Sequence, residues 1–290
     1  MERRMEHLRP AEIEAAMSAC PTLLQPIGTV EWHGLHNITG LDALKAQALC
    51  IRAAERAGCL AAPPVFGGIG GLDEPHTFVM DPDDGYDSRV VRGWYETLCR
   101  EAHRQGFRAM VLLTGHYGAG QQILVRETAV RMSRLLHMPV LGTPEYFLAL
   151  DEGYTGDHAA FFETSLMMEL DPDSVRLDRL AELKEGESHQ GVGGRDPKKY
   201  ATRADGARLA EAIVGRLAGL AQAMPTWDDA TLARFIAAEQ ALVDRQMSLA
   251  GETGQAWAAW RNIPRGAFAA YPQLLTEGRF EEIVALVQEL

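Results

Sequence analysis

Four acidic or imidazole side chains fall within twelve residues in EWHGLHNITGLD, Glu31 to Asp42, directly after an apolar run. Glu31 and His33 stand two apart, so in an extended segment both side chains leave the backbone on the same side. Asp42 comes where a helix from about Ala43 to Ala57 is expected to begin, so a turn can fold its carboxylate back toward them. Mixed carboxylate and imidazole donors suit a divalent ion such as Zn, Mn or Fe(II) better than Cu(I) or a thiolate cluster. His116, in LLTGHYGAG, and the pair His158 and Glu163, in GDHAAFFETSLMMEL, are the other candidates for chemistry.

The elements that must position these residues alternate along the chain. Strands are expected at Thr22 to Gly28, Cys59 to Phe66, Ala109 to Leu113 and Met138 to Thr143. Between and after them come helices at about Ser88 to Gln105, Ala119 to Leu136 and His158 to Leu170. In the Ser88 helix Val91, Trp94, Tyr95, Leu98 and Ala102 recur at helical spacing, and Gly106 is placed to end it. Ala109 to Leu113 is continuously apolar, as expected of a buried parallel strand. Such alternation predicts an α/β layered fold with a mainly parallel sheet flanked by helices. Ligands of such sheets gather beyond the carboxyl ends of the strands. Glu31, His33 and His116 all follow strand ends, so distant segments deliver metal-type side chains to one edge.

These segments resemble the creatininase family. Glu31, His33, Gly34, His36 and Asp42 match its E-x-H-G-x-H-L-P-x-x-T-D motif, whereas Asn37, Ile38 and Leu41 depart from it. His116 matches the histidine of an N-G-H-x-x-N segment, with Thr114 and Ala119 replacing the asparagines, and His158 and Glu163 match the H-A-G-x-x-E-T-S helix start despite Ala160 and Phe161. A weaker match, GGRDPKKYATRADGARLAEAIV, supports the fold although Arg195 interrupts it. His76 matches a family histidine only loosely and reads equally well as a surface residue.

The resemblance implies a metal-dependent amidohydrolase acting on a small, cyclic or linear, amide or on a short peptide. Its ligands would be Glu31, His33, Asp42, His116 and Glu163, holding one or two ions with Zn foremost and Asp42 as the bridge. His158 would be the acid or base and Glu163 would support catalysis. Tyr117, Trp32 and His36 are expected to line the substrate space. Creatinine-cleaving members carry a further glutamate ligand two residues after the histidine matched by His116, and this chain has Gly118 there. Because the same metal-activated water can attack an ester, a metal-dependent lactonase or esterase is one alternative, and Gly118 with Thr114 leaves a non-catalytic metal-binding scaffold as another. Family members form oligomers, commonly hexamers, so a homo-oligomer is expected.

Composition narrows the partners. With 28 basic against 40 acidic residues the net charge is −12, and no Lys/Arg cluster is long enough to follow a phosphate backbone, which argues against nucleic acid. There is no apolar stretch of 18 residues and no leader-like apolar segment near Met1, so a cytoplasmic protein is expected. Cys20, Cys50, Cys59 and Cys99 lack C-x-x-C spacing and read as free thiols. The glycine pattern from Gly115 to Gly120 lacks the order and the acidic partner of a dinucleotide site. Residues 1–224 are expected to form the α/β hydrolase domain. Residues 225–290, with Trp227, Trp257 and Trp260, are expected to form a helical appendage that covers the site or packs against a partner subunit.

Overall fold

A computed structural model describes residues 1–72, 75–78, 80, 88–253 and 266–289 of the chain. Trp257 and Trp260 lie outside the described residues. β1 (Thr22–Gly28) is the central strand and is buried along its whole length. It pairs in parallel with β2 (Leu60–Ala61), β3 (Val65–Phe66) and β4 (Ala109–Thr114). β4 pairs in parallel with β5 (Val140–Pro144), giving the order β2-β1-β4-β5 with β3 beside the end of β1.

The strand expected from Cys59 to Phe66 is therefore two short pieces on the same neighbour. Leu60 and Ala61 pair with Leu23 and Leu24, while Val65 and Phe66 pair with Ile27 and Gly28. Pro63 and Pro64 separate them because a proline nitrogen has no proton to give the ladder. The Ser88 helix is found as α3 (Arg89–Arg104), with the Ser88 hydroxyl accepting from Val91 N–H at its start.

Side chains alternate across the sheet as strand geometry requires. Ala109, Val111 and Leu113 face one core together with Leu24 and Leu141, and Met110 and Leu112 face the other with Leu23, Ile27 and Val140. α2 (Leu41–Ala57), α5 (Phe161–Leu170) and α7 (Arg203–Ala223) cover the first side. α3 and an N-terminal helix, α1 (Pro10–Ala19), cover the second. α4 (Ala119–Leu136) sits at the β5 edge and contributes Ile123 to one core and Leu124 and Val125 to the other. The result is a three-layer fold with a parallel sheet between helices. The polar stretch after Ala181 is mostly loop, with one short helix at Pro197–Tyr200. Among the described residues no helix is long and apolar enough to cross a membrane.

The C-terminal segment shares the first core. Leu232, Phe235 and Leu242 from Asp229–Thr253, Tyr271 and Leu275 from Tyr271–Thr276, and Phe280 and Ile283 from Phe280–Gln288 join the residues of α2 and α7. A buried polar contact locks it to α4. The Arg126 guanidinium donates to the Glu239 carboxylate and to the Tyr271 hydroxyl at 3.2 Å, and that hydroxyl donates to the other Glu239 oxygen at 2.7 Å. Both charges are out of water, so removing one strands the other. Glu239→Leu is expected to destabilise the protein by about 3–5 kcal/mol, read as a lower urea midpoint. The double variant Arg126→Met/Glu239→Leu should recover most of that loss.

Candidate metal centre

β1 and β4 lie side by side while their other neighbours lie on opposite sides, which makes the junction between their carboxyl ends a switch point of the sheet. α2 starts at this junction because two glycines let its backbone touch the sheet. A Cβ on Gly28 would lie 2.2 Å from Ala43 N, and one on Gly115 would lie 2.1 Å from Asp42 O. Asp42 is the second residue of α2. The helix thus begins two residues earlier than its periodicity suggests, and the carboxylate is fixed by the helix itself. The other side chains enter from loops. After β1 the chain folds back through Gly34, at φ 68°, and Glu31 N–H donates to Thr39 O at 2.8 Å. His116 follows β4, and His158 precedes α5, whose start lies three residues later than expected. Asp157 accepts from Phe162 and Glu163 N–H and so caps that helix, leaving His158 free to face the cavity.

Asp42 directs its two oxygens to two different imidazoles. Oδ1 lies 3.1 Å from His33 Nε2, and Oδ2 lies 3.1 Å from His116 Nδ1. Glu31 Oε2 is 2.9 Å from His116 Nδ1, and Glu163 Oε2 is 3.7 Å from His33 Nε2. Three overlapping groups, Glu31/Asp42/His116, His33/Asp42/Glu163 and Glu31/His33/His158, each bring their donor atoms within 4.8 Å of one another.

The far side of each ring is tied down. His116 Nε2 donates to Ile69 O at 3.0 Å and His33 Nδ1 to Glu31 O at 2.9 Å, which leaves Nδ1 of the first and Nε2 of the second turned toward the carboxylates. His158 Nε2 donates to Trp32 O at 2.8 Å, so its Nδ1 faces inward, and its ring lies 4.4 Å from that of His33. Glu31 Oε1 accepts from Leu72 N–H at 2.7 Å. Gly71, at φ 121°, brings that loop in, and a Cβ there would lie 2.7 Å from the same oxygen.

Glu31 Oε2, His33 Nε2 and Asp42 Oδ2 are buried and, although 2.9–3.1 Å from the facing ring nitrogen or carboxylate, are in no well-formed hydrogen bond. Such atoms are costly to bury unless a cation meets them. The field points the same way. Burial opposes a charged His33, yet Asp42, followed by Glu163 and Glu31, outweighs it and pushes the imidazole up to about 9. His116 is raised well above its ordinary value against the same burial, by Glu31 and Asp42. Burial also opposes charge on Asp42, but the two imidazoles hold its carboxyl well below the usual range. A site that draws protons onto both imidazoles is one that attracts cations. The donor set and its orphaned atoms therefore fit a divalent metal.

A cavity of about 390 Å³ opens over this cluster. Its lining includes Glu31, Asp42, His116, His158 and Glu163, together with Leu72, Tyr117, Gln122, Tyr146 and Thr155. Tyr117 lines this cavity. Trp32 and His36, expected against the substrate, are not among the lining residues. The Trp32 indole lies under Gly191, where a Cβ would be 2.7 Å from the ring, and its Nε1 donates to Gly34 O. His36 is buried and meets Thr164 Oγ1 at 3.0 Å. Burial pushes its imidazole down to about 4, which makes it a neutral strut between the first loop and α5. His76 is exposed and stands apart from the cavity.

Gly118 does more than omit a carboxylate. A Cβ there would lie 2.7 Å from His116 Nε2 and 2.9 Å from Ile69 O, so with this backbone no side chain fits. The polar group behind the centre was not foreseen. Lys45 is fully buried, and its ammonium donates to Glu163 Oε1 at 2.5 Å and to the Tyr117 hydroxyl at 2.9 Å, with Glu145 Oε1 also at 2.9 Å. Tyr117 also bonds Glu145 and Tyr154. One signal was available for it. Leu41, Lys45 and Leu49 share a stripe at i, i+4 and i+8, which puts the lysine on the apolar face of α2.

A parallel α/β sheet with carboxylates and imidazoles gathered at its switch point defines a metal-dependent hydrolase architecture. The creatininase (creatinine amidohydrolase) family model matches residues 6–221, and the chain belongs to this family of metal-dependent amidohydrolases acting on a non-peptide C–N bond. Creatinine amidohydrolase of Pseudomonas putida is 32% identical over 197 residues, spanning 59% of this chain and 73% of that protein. A 3-dehydro-scyllo-inosose hydrolase of Thermotoga maritima is 23% identical over 160 residues, 53% of this chain and 48% of that protein. Among solved structures, a manganese form of creatininase is 27% identical with a TM-score of 0.62, covering 78% of this chain and all of that one. A mutant creatininase of Zn–Zn type is 26% identical with the same TM-score, covering 78% of this chain and 99% of that one.

Proposed function

We propose that the protein hydrolyses the C–N bond of a small amide, cyclic or short and linear, at a two-ion centre bridged by Asp42. The observation that carries this reading is the divergence of the two Asp42 oxygens toward two imidazoles whose outer nitrogens are already committed to backbone carbonyls. Glu31, Asp42 and His116 would hold one ion, and His33, Asp42 and Glu163 the other. Nitrogen and oxygen donors without thiolate favour Zn, with Mn or Fe as substitutes. A divalent ion held there supplies an acidified water, its pKa brought from about 15.7 to near 7, and a Lewis acid for the carbonyl oxygen.

The rest falls to the chain. His158 Nδ1 faces the cavity, takes a proton as the nucleophile adds, and returns it to the departing nitrogen. Its Nε2–H stays on Trp32 O throughout, so the ring keeps its orientation while the other nitrogen cycles. Tyr146 and Tyr117 wall the space beside it, and Gln122 is fixed between them, accepting from the Tyr146 hydroxyl and donating to Tyr117 O. A cavity of about 390 Å³ is of a size to take a small molecule.

Paired lactam and lactone substrates, with cyclic ureas and short linear amides, test the reading on untagged protein before and after chelation. Hydrolysis of at least one amide, lost on chelation and restored by Zn, is expected. Turnover of lactones alone would establish the esterase alternative. Full metal content without hydrolysis of any amide or ester would favour a scaffold.

A further inference from the structure

Lys45 has no role in the chemistry above, yet it is fully buried and its ammonium has a carboxylate of the centre as a direct partner. Its three N–H groups meet three acceptors, Glu163 Oε1, Glu145 Oε1 and the Tyr117 hydroxyl, so it is saturated where it stands. Glu163 is held from both ends. Lys45 takes Oε1, and Ala159 N–H donates to Oε2 at 2.7 Å. Only what is left of Oε2 faces His33. In the neighbouring group, Glu31 Oε2 and Asp42 Oδ2 face only His116 Nδ1, at 2.9 and 3.1 Å, and no lysine is bonded to either carboxylate among the described residues. The two halves of the centre therefore differ. One offers two carboxylate oxygens that carry no lysine contact, and the other offers one Asp42 oxygen and a glutamate already neutralised in part by a buried cation.

We infer that Lys45 is a positioning residue that restricts Glu163 to one oxygen and makes the His33/Asp42/Glu163 site the weaker of two unequal cation sites. This rests on the two-ion reading and extends it. Two effects of losing Lys45 oppose each other. Glu163 would lose a tether, which weakens a site, and would regain its full charge, which strengthens one. Charge prevails here because the Ala159 N–H still orients Oε2 without Lys45, while a positive charge buried this close is poorly screened. Glu145 sets the balance. It shares the ammonium with Glu163, so neutralising Glu145 directs more of the Lys45 charge onto Glu163.

Competition titrations of metal-free protein with Co²⁺ and Zn²⁺ against a chromophoric chelator, with the Co²⁺ d–d spectrum recorded at each step, test this. In Lys45→Met/Glu145→Gln, which removes one buried charge of each sign and so leaves the net charge of the cluster unchanged, the second ion is expected to bind about 10-fold or more tighter and its spectrum to shift, with the first ion's affinity unchanged. In Glu145→Gln alone the second ion should bind several-fold more weakly. A merely structural role would move both ions together or neither. Second-ion affinities within about 2-fold of wild type in both variants, or a weaker second ion in the double variant, would overturn the inference. Absence of any bound ion in the wild-type titration would instead remove the metal centre itself.

Discussion

Asp42→Ala is expected to leave the protein almost free of divalent metal, with affinity lowered by more than about 100-fold, the upper range for losing a group that only supports a ligand. Asp42 belongs to two of the three donor groups and, among the described residues, is the one whose carboxylate places an oxygen 3.1 Å from each of His33 and His116. No other carboxylate substitutes for it. Glu31 reaches His116 and is otherwise occupied by Leu72 N–H, and Glu163 is held by Lys45 and Ala159. Asp42→Asn keeps the shape of the first turn of α2 and separates loss of charge from misfolding. Elemental analysis of both variants, with circular dichroism to confirm the fold, makes the check. Metal content equal to wild type in either would end the assignment of Asp42 as the bridge.

His158→Ala should behave in the opposite way, retaining its metal while turnover falls by about 10²- to 10⁴-fold, the usual contribution of a positioned acid or base. The ring is half-buried at the cavity, tilted by 34° against that of His33, and lies 3.9 Å from Glu31 through the nitrogen that is not bonded to Trp32. It also forms a donor group with Glu31 and His33. Metal content and rate measured on the same preparation therefore distinguish its two uses. Retained metal with slow turnover marks a proton carrier, and lost metal marks a ligand. His158→Gln, which can still hydrogen-bond Trp32 O, should be equally slow if proton transfer is the missing step.

The parts of this site that sequence made legible are those whose chemistry depends on local spacing. Glu31 and His33 follow a strand, His116 follows another, and parallel topology brings both strand ends together. Glu163 was visible from its motif, and its orientation was not, because Lys45 and Ala159 reach it from 118 and 4 residues away. Lys45 and Glu145 escaped notice for a related reason. A single lysine in an amphipathic helix reads as a solvated side chain, and Glu145 stands alone beside a proline and three apolar or aromatic neighbours. Trp32 and His36 lie inside the ligand motif yet do not line the cavity. Trp32 alternates with Glu31 and His33 and so points away from them, whereas His36 sits in the turn after Gly34 and is drawn to Thr164 of α5. The short pieces β2 and β3 and the early start of α2 depended on tertiary contacts, the first on pairing with β1 and the second on contact at Gly28 and Gly115.

Those two glycines divide the protein for anyone who wishes to retarget it. Positions 28 and 115 accept no side chain while α2 stays where it is, and Gly118 is closed by His116 and Ile69. The base of the cavity is thus a rigid frame, closed to substitution for geometric reasons as much as chemical ones. Leu72, Ala119, Tyr146 and Thr155 border the same space and belong to none of the metal-type groups. Diversity confined to these positions would change which molecules are admitted while leaving the machinery beneath intact, so selection for new substrates has a small and well-bounded search space.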